Sequence, residues 1–432
     1  MSQPSAIARP AAGSPIAGWA EDPQGGLQLT GAEPPLTREE QDVQETVHRF
    51  AAQVMRPIGQ QLDRMTPQEV IAESSPLWSV FKAFGQLGLG VDRVLEFEPQ
   101  QMARMLCLVF EELGWGDAGL AISLGASMLP RLTAAKFGNQ FLLERTPESL
   151  IGCWGATEPE HGSDVLDANK QLFHPQGNYG RPDCVAKLYN DKVVINGRKS
   201  DWISNGTIAQ VCILYCVADT GDGPDPAQGC TVIVPLDARG VSRGKPLDKM
   251  GQRALNQGAV IFDEVELPLD YVLAGPDDYK RASYSILSDG NAIMGVVFTG
   301  TARAAFELAL AYAHERKQGG VPIIRHQHVA YRLFHMYRKV EAARALSRRA
   351  LIYNYTQPVP AIHVAMASKI TGTQTSFEVA NEALQIFCGK GLIPAYPIEK
   401  IFRDTRASLI EDGCNELLAI KGGNYLINPE LF

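Results

Sequence analysis

Apolar residues return every three or four positions from Leu36 to about residue 150. In LTREEQDVQETVHRFAAQVMRP, Thr37 and Glu40 have the spacing of a capping box. Val43, Val47, Phe50, Ala51 and Val54 then share one helical face, and Pro57 is expected to end the helix. The helical period continues through QQMARMLCLVFEELGW. The pattern changes after that. CVAKLYNDKVVING reads as a hairpin, with Asn190 and Asp191 turning between two β-branched runs. QVCILYCVAD, GCTVIVPLD and GAVIFDEVEL are further strand-like runs. From about residue 280 the helical period returns. GTARAAFELALAYAHERK is apolar on most sides, as a buried helix would be. Val329, Leu333, Met336, Val340, Ala343 and Leu346 form one narrow stripe. Ile362, Met366, Ile370, Thr373, Phe377, Ala380 and Leu384 form another.

The order helices, strands, helices defines an α+β chain. It divides into an all-helical N-terminal domain (37–150), a middle β-barrel-like domain (151–275) and a C-terminal four-helix bundle (276–432). Residues 1–36, rich in Pro, Gly, Ala and Ser, read as a disordered or loosely docked arm.

Composition removes several function classes. The 432 residues carry a net charge of −8, against the basic footprint that nucleic acid or an anionic membrane calls for. No apolar run is read as approaching the ~20 residues that cross a bilayer, and the first residues lack the continuous apolar stretch of a signal peptide. Eight cysteines are scattered without a CxxC or a His partner at metal-ligand spacing. No metal site is expected, and the thiols fit a reduced, cytoplasmic setting.

Four segments carry candidate chemistry. In ATEPEHGSDV, Thr157, Gly162 and Ser163 present hydroxyls and backbone N–H groups around a bend that suits a ring carbonyl or a pyrophosphate. In GRKSDWISNG, Trp202 and Ser204 can pack on a flat heterocycle and hydrogen-bond its edge. In ERKQGGVPIIRHQ, Arg316 can hold a phosphate. In QIFCGKGLIPAYPIEKIFRD, two glycines allow close backbone approach. Each segment alone also fits a plain structural role.

Together and in this order, the segments resemble the acyl-CoA dehydrogenase family of flavoproteins. The likeness runs from Leu36 to Leu426 through LTREEQDVQETVHRFA, TEPEHGSD, WISNG, DKMGQRALNQGAVIFDEVELPLDYVLAG, ERKQGG, HQ, QIFCGKG and EKIFRD. It implies FAD bound between the β domain and the bundle, in a homodimer or homotetramer whose neighbouring subunit completes the cofactor site. Carried over, Thr157, Gly162 and Ser163 would contact the isoalloxazine and phosphate region. Trp202 would lie against the flavin, with Ser204 near N5 and Cys414 also in the cofactor site. Arg316 and Gln327 would reach the diphosphate and adenosine part, as would Gln385 and Gly389 from across the dimer.

The family commonly places its base as Glu in I-x-E-G-T, and this chain reads Ile410, Glu411, Asp412, Gly413, Cys414. Asp412 takes the base position. Glu411 is the alternative, pointing about 100° away if the segment is helical. A second family location for the base maps to Gly290. Ser163, Asn291 and Gly413 are the substrate-binding candidates, and Asn291 stands where an Arg is common. Gly319 replaces a Phe, and Cys388 a Gly. The resemblance implies FAD-dependent dehydrogenation of an acyl thioester carried on CoA or on a carrier protein, with an electron-transfer flavoprotein as acceptor. Two alternatives stand beside it: a flavin oxidase or monooxygenase of the nitroalkane-oxidase kind, and a catalytically altered accessory subunit.

Overall fold

The computed structural model describes residues 36–167 and 180–428. Nearly all of the N-terminal arm expected at 1–36 therefore lies outside the described residues.

The first helix begins where its cap predicts. Thr37 Oγ1 accepts from Glu40 N–H, and the Glu40 carboxylate accepts from Thr37 N–H (2.8 Å). This helix, α1 (Arg38–Phe50), does not stop at Pro57 as expected. A π-turn at Ala51–Met55 joins it to α2 (Arg56–Leu62), with Pro57 in the first turn of α2. Proline is tolerated there because a first-turn N–H needs no intrahelical partner, and the wider turn absorbs the irregularity. Short helices α3 (Pro67–Val70), α4 (Leu77–Gly85) and α5 (Val91–Leu95) lead to α6 (Pro99–Gly116) and α7 (Ala118–Lys136). Then α8 (Gln140–Arg145) closes the domain.

The middle domain is a mixed sheet of eight strands: β1 (Gly152–Gly155), β2 (Cys184–Leu188), β3 (Lys192–Arg198), β4 (Val211–Asp219), β5 (Pro224–Pro235), β6 (Val241–Arg243), β7 (Val260–Pro268) and β8 (Val272–Ala274). Their order is β6-β7-β3-β2-β4-β5-β8, with β1 also pairing β4. The β2–β3 hairpin turns at Asn190 and Asp191 as expected. Strand β4 is parallel to β1 over its first half and to β2 over its second, and antiparallel to β5 throughout. Both of its faces are covered. Cys212, Leu214 and Cys216 enter the core of the sheet, whereas Val211, Ile213 and Tyr215 pack toward the C-terminal helices. That is why VCILYCVA reads as a continuous apolar run instead of an alternating one.

The C-terminal domain opens with the 40-residue α9 (Pro276–Glu315). A two-residue hairpin follows, β9 (Lys317–Gln318) and β10 (Val321–Pro322), turning at Gly319 and Gly320, whose positive φ angles of 60° and 83° suit a tight primed turn. Then come α10 (Gln327–Thr356), α11 (Ile362–Phe387), α12 (Pro397–Ser408) and α13 (Asn415–Ile427). Helices α9 and α11 run side by side in the same direction. Tyr284 Oη donates to Pro360 O near their starts, and Tyr312 stacks on Phe387 near their ends. One reading of the sequence is corrected here, since α9 is long and apolar enough by composition to cross a membrane. It is instead largely buried inside the fold, as a core helix is.

The stripe on α10 turns polar beyond Ala343, where Arg344, Ser347 and Arg348 are buried. Their partner is Glu111 of α6. Its carboxylate receives Arg303 (2.8 Å), Arg344 (3.0 Å) and Arg348 (2.8 Å), and Arg303 also reaches Glu112 (2.5 Å). Burial alone would raise the Glu111 pKa, but the three guanidinium groups outweigh it and hold the carboxyl well below the usual range. Close backbone approach makes this geometry accessible. A Cβ on Gly300 would lie 1.9 Å from Glu111 O, and one on Gly114 would lie 1.9 Å from Val297 O.

Glu111→Gln removes the buried charge that Arg303, Arg344 and Arg348 share. It should cost about 3–5 kcal/mol of stability in denaturant unfolding, and a loss under ~1 kcal/mol would refute the structural importance of the cluster. Cys388 adopts φ 52°, ψ −140°, a region that glycine enters freely and other residues enter under strain. Cys388→Gly should therefore stabilise by about 1 kcal/mol, read as a higher thermal midpoint, with an unchanged or lower one counting against the strain.

Candidate active site

Three loops and two helices meet around the Glu411–Asp412 pair. The first loop is the TEPEHGSD segment after β1. Buried Glu158 anchors it by accepting from Lys199 Nζ (2.6 Å) and from Asp183 N–H (2.6 Å). Lys199 also donates to Ala156 O (3.0 Å), so both ends of Thr157 are held. Thr157 Oγ1 lies 2.7 Å from Ser200 Oγ, and Ser200 N–H donates to Thr157 O. The structure thus brings two of the quoted motifs together side by side.

The second loop carries Trp202 and Ser204. It is pinned from below by Asn205, fully buried at φ 62°, whose amide donates to Ser123 O (2.8 Å) and Gly152 O (3.1 Å) and accepts from Ser123 Oγ (2.6 Å). Gln257 donates to Trp202 O (3.0 Å) and bridges Ser204. With its backbone held so firmly, Trp202 nevertheless leaves 61% of its surface exposed. A rigidly mounted indole beside two hydroxyl residues fits a flat, hydrogen-bonding ring. These residues therefore fit the isoalloxazine of FAD.

The third loop, Leu409–Cys414, is not helical. Helix α12 ends at Ser408 and α13 starts at Asn415, so the acidic pair lies in the connection between them. This corrects the helical geometry assumed for Glu411. Asp412 (φ 52°) and Gly413 (φ 91°) are both left-handed. Glu411 Oε1 accepts from Gln252 Nε2 (2.6 Å). Gln252 is itself fixed, its N–H donating to Asp404 Oδ1 (2.5 Å) and its Nε2 also to Asp404 O (3.2 Å). Asp404 pairs with Lys400, which pairs with Asp117 of the N-terminal domain (2.5 and 2.6 Å). The Asp412 carboxylate makes no hydrogen bond among the described residues.

Burial acts on both carboxyls in the same direction. Burial, then the neighbouring Asp412 charge, pushes Glu411 up to about 7. Burial likewise raises Asp412, partly offset by Lys369. Ser163 Oγ accepts from Cys414 N–H (3.3 Å), so the first loop closes over the turn. Gly162 is exposed on the same loop, and a Cβ there would meet nothing within 4 Å.

Asn291 lies one helical position beyond Gly290 on α9. It is buried, its amide donates to Leu287 O (2.9 Å), and its Oδ1 has no protein partner among the described residues. A Cβ on Gly290 would also meet nothing within 4 Å. Arg316, Gln327, Gln385 and Gly389 gather at the far end of the bundle, at the close of α9, the start of α10 and the close of α11. At about 1.5 Å per residue, roughly 24 Å of helix separates Gln385 from Lys369 beside the turn. One chain therefore holds these four residues apart from Asp412.

Gln252 and Lys369 were not singled out from the sequence. Gln252 lies within a quoted motif, but its contact to Glu411 spans a domain boundary. Lys369 left a trace as a lone cation between Met366 and Thr373 on an otherwise uncharged stripe.

Three family models cover most of the chain. They are described as the acyl-CoA dehydrogenase N-terminal, middle and C-terminal domains, and they match residues 37–147, 153–265 and 281–422. Fold and site together define an FAD-dependent oxidoreductase acting on CH–CH groups. The chain belongs to the acyl-CoA dehydrogenase family. A probable acyl-CoA dehydrogenase of Bacillus subtilis is 30% identical over 393 residues, 88% of this chain and 96% of its own. Butyryl-CoA dehydrogenase from Megasphaera elsdenii has the same fold at TM-score 0.78 and 24% identity, covering 92% of this chain and 100% of its own. An acyl-CoA dehydrogenase from Bacillus anthracis complexed with FAD gives TM-score 0.77 at 23% identity, covering 94% of this chain and 71% of its own.

A Cβ on Gly413 would stand 2.7 Å from Leu166 Cδ1, on a backbone that disfavours any side chain. Gly413→Ala should lower stability by about 1–3 kcal/mol in thermal or denaturant unfolding. Wild-type stability in this variant would show the turn to be slack.

Proposed function

We propose that the chain is an acyl-thioester dehydrogenase in which Asp412 removes the α-proton. One observation carries this reading. Of the two adjacent carboxylates, both raised by burial, Glu411 is spent on Gln252, whereas Asp412 is unbonded and partly exposed. A general base needs a free lone pair and a proton affinity lifted toward the working pH, and Asp412 has both. Against the usual Glu, its side chain is one methylene shorter. Placement errors of ~1 Å can cost ~100-fold in rate, so the left-handed turn that carries Asp412 has to set its reach.

The remaining residues divide the work of binding. Thr157, Ser163, Trp202, Ser204 and Cys414 would hold the flavin half of FAD, with Gly162 leaving the loop open to it. Arg316, Gln327, Gln385 and Gly389 would hold the diphosphate and adenosine half. Because one chain keeps these two groups apart, the second set would serve the site of a partner copy in a homodimer or homotetramer. When bound, FAD takes up the β-hydrogen with its electron pair. Gly413 and Ser163 would border the thioester. Asn291, uncharged and with a free amide oxygen, would recognise a polar group of the acyl carrier in place of the usual Arg. That fits either a CoA or a carrier-protein thioester, and an electron-transfer flavoprotein would reoxidise the enzyme.

The test is anaerobic. The FAD-loaded protein is mixed with acyl-CoAs, carrier-bound acyl thioesters and nitroalkanes, and the flavin absorbance is followed. Thioesters should bleach it, Asp412→Ala should slow bleaching by ~100-fold or more, and Glu411→Gln should keep most of the rate. Only the carboxylate form of Asp412 can take a proton. The rate should therefore hold at neutral pH and fall as pH drops through a midpoint above the ordinary aspartate range. Firmly bound FAD that no thioester bleaches would sink the proposal, and bleaching by nitroalkanes alone would replace it with the oxidase reading.

A further inference from the structure

The reaction so described leaves one buried charge at the site without a task. Lys369 lies about two turns into α11 and is fully buried. Its ammonium donates to Gly413 O (2.9 Å) and to Asn415 Oδ1 (2.8 Å). Both acceptors are neutral, and no carboxylate lies within ion-pairing distance of it among the described residues. A buried cation without a counter-ion is costly, and apolar side chains would fill the same space at no such cost.

What Lys369 touches gives it a purpose. Both acceptors flank the left-handed Asp412–Gly413 turn on its C-terminal side. Asn415 is held a second time, donating to Thr373 Oγ1 (3.0 Å) one helical turn further along α11. The titratable groups facing Lys369 belong to the same segment and its continuation, Asp412 first, then Glu411, Cys414 and Glu416. On the opposite side of the turn, Gln252 and Lys249 of the middle domain face Glu411. The turn is thus clamped from two domains, and the clamp on the Asp412 side is a cation.

We propose that Lys369 is the positioning residue of this site. Its ammonium pins the Asp412–Gly413 turn through the Gly413 carbonyl and, through space, favours the carboxylate form of Asp412. This rests on the reading of Asp412 as the base. Two consequences follow from the same contacts. Burial, opposed by the Asp412 charge, pushes Lys369 down to about 8. Its charge is therefore complete below that pH and is lost as pH rises through it, which sets an alkaline limit on the poise of Asp412. Replacing the ammonium with an apolar group should also raise the Asp412 pKa, because burial would then act unopposed.

The experiment reads the carboxyl group directly and uses no acyl thioester, so its failure is distinct from failure of the dehydrogenase reading. On the full chain, the Asp412 carboxyl is titrated by infrared difference spectroscopy, with the band assigned by its loss in Asp412→Asn. Lys369→Met should raise the midpoint by about one pH unit or more, a tenfold change in the protonation equilibrium. Lys369→Arg, which keeps the charge, should shift it by less than about half that. The coupling is reciprocal. Asp412→Asn should therefore lower the Lys369 ammonium titration, followed by nitrogen NMR, by a matching amount, and this arm serves if Lys369→Met does not fold. An Asp412 midpoint unmoved in folded Lys369→Met, or a Lys369 titration unmoved in Asp412→Asn, overturns the proposal.

Discussion

A single buried carboxylate sets the relation between the N-terminal helices and the bundle. Glu111 of α6 collects guanidinium groups from α9 and α10, and none of the four side chains reaches solvent to an appreciable degree. A buried charge cluster is poor value for stability when compared with a hydrocarbon core. It is strict about geometry, however, because a slip of one helical turn would part Glu111 from all three guanidinium groups. Glycines on both helices at the crossing let the backbones approach closely enough for the carboxylate to span them. The orientation of α9, the helix on which Gly290 and Asn291 lie, follows from this contact.

A second polar chain ties all three domains together beneath the reacting groups. It runs from Asp117 through Lys400 and Asp404 to Gln252 and ends on Glu411. The domains thus meet along a line of specific hydrogen bonds as well as across apolar surface. The line terminates on the carboxylate adjacent to Asp412 and leaves Asp412 itself unbound. Two neighbouring acids with similar intrinsic chemistry are thereby given different environments, which is the usual route by which proteins assign different roles to like residues.

Much of this was legible in the sequence. The period changes near residues 150 and 280 marked the passage from helices to strands and back to helices, the Thr37 capping box located the first helix, and the Asn190–Asp191 turn located the hairpin. These features are local, and local pattern is what periodicity reports. Pro57 was misread because a π-turn, which leaves no simple sequence trace, carried the helix past it. The charged lining of α10 was invisible for a different reason. Arg344 and Arg348 look like surface residues until Glu111, more than two hundred positions earlier, is brought against them. Gln252 and Lys369 were hidden in the same way, since their contacts to Glu411 and to the Gly413–Asn415 segment join separate elements. The acidic segment itself was found, but its conformation was not, since nothing in Glu-Asp-Gly-Cys states which residue turns left-handed.

That left-handed turn bears on how the position can change over evolutionary time. Aspartate and asparagine tolerate positive φ better than longer side chains, because their short polar groups can bond locally to the backbone. An aspartate at φ 52° is therefore well matched to its backbone, and a glutamate there would carry both a longer reach and a strained main chain. Residue identity and turn shape at 412 are consequently not free to drift one at a time. A lineage exchanging one acid for the other must reshape the connection between α12 and α13 as well, so the single methylene that distinguishes them is a barrier made of backbone.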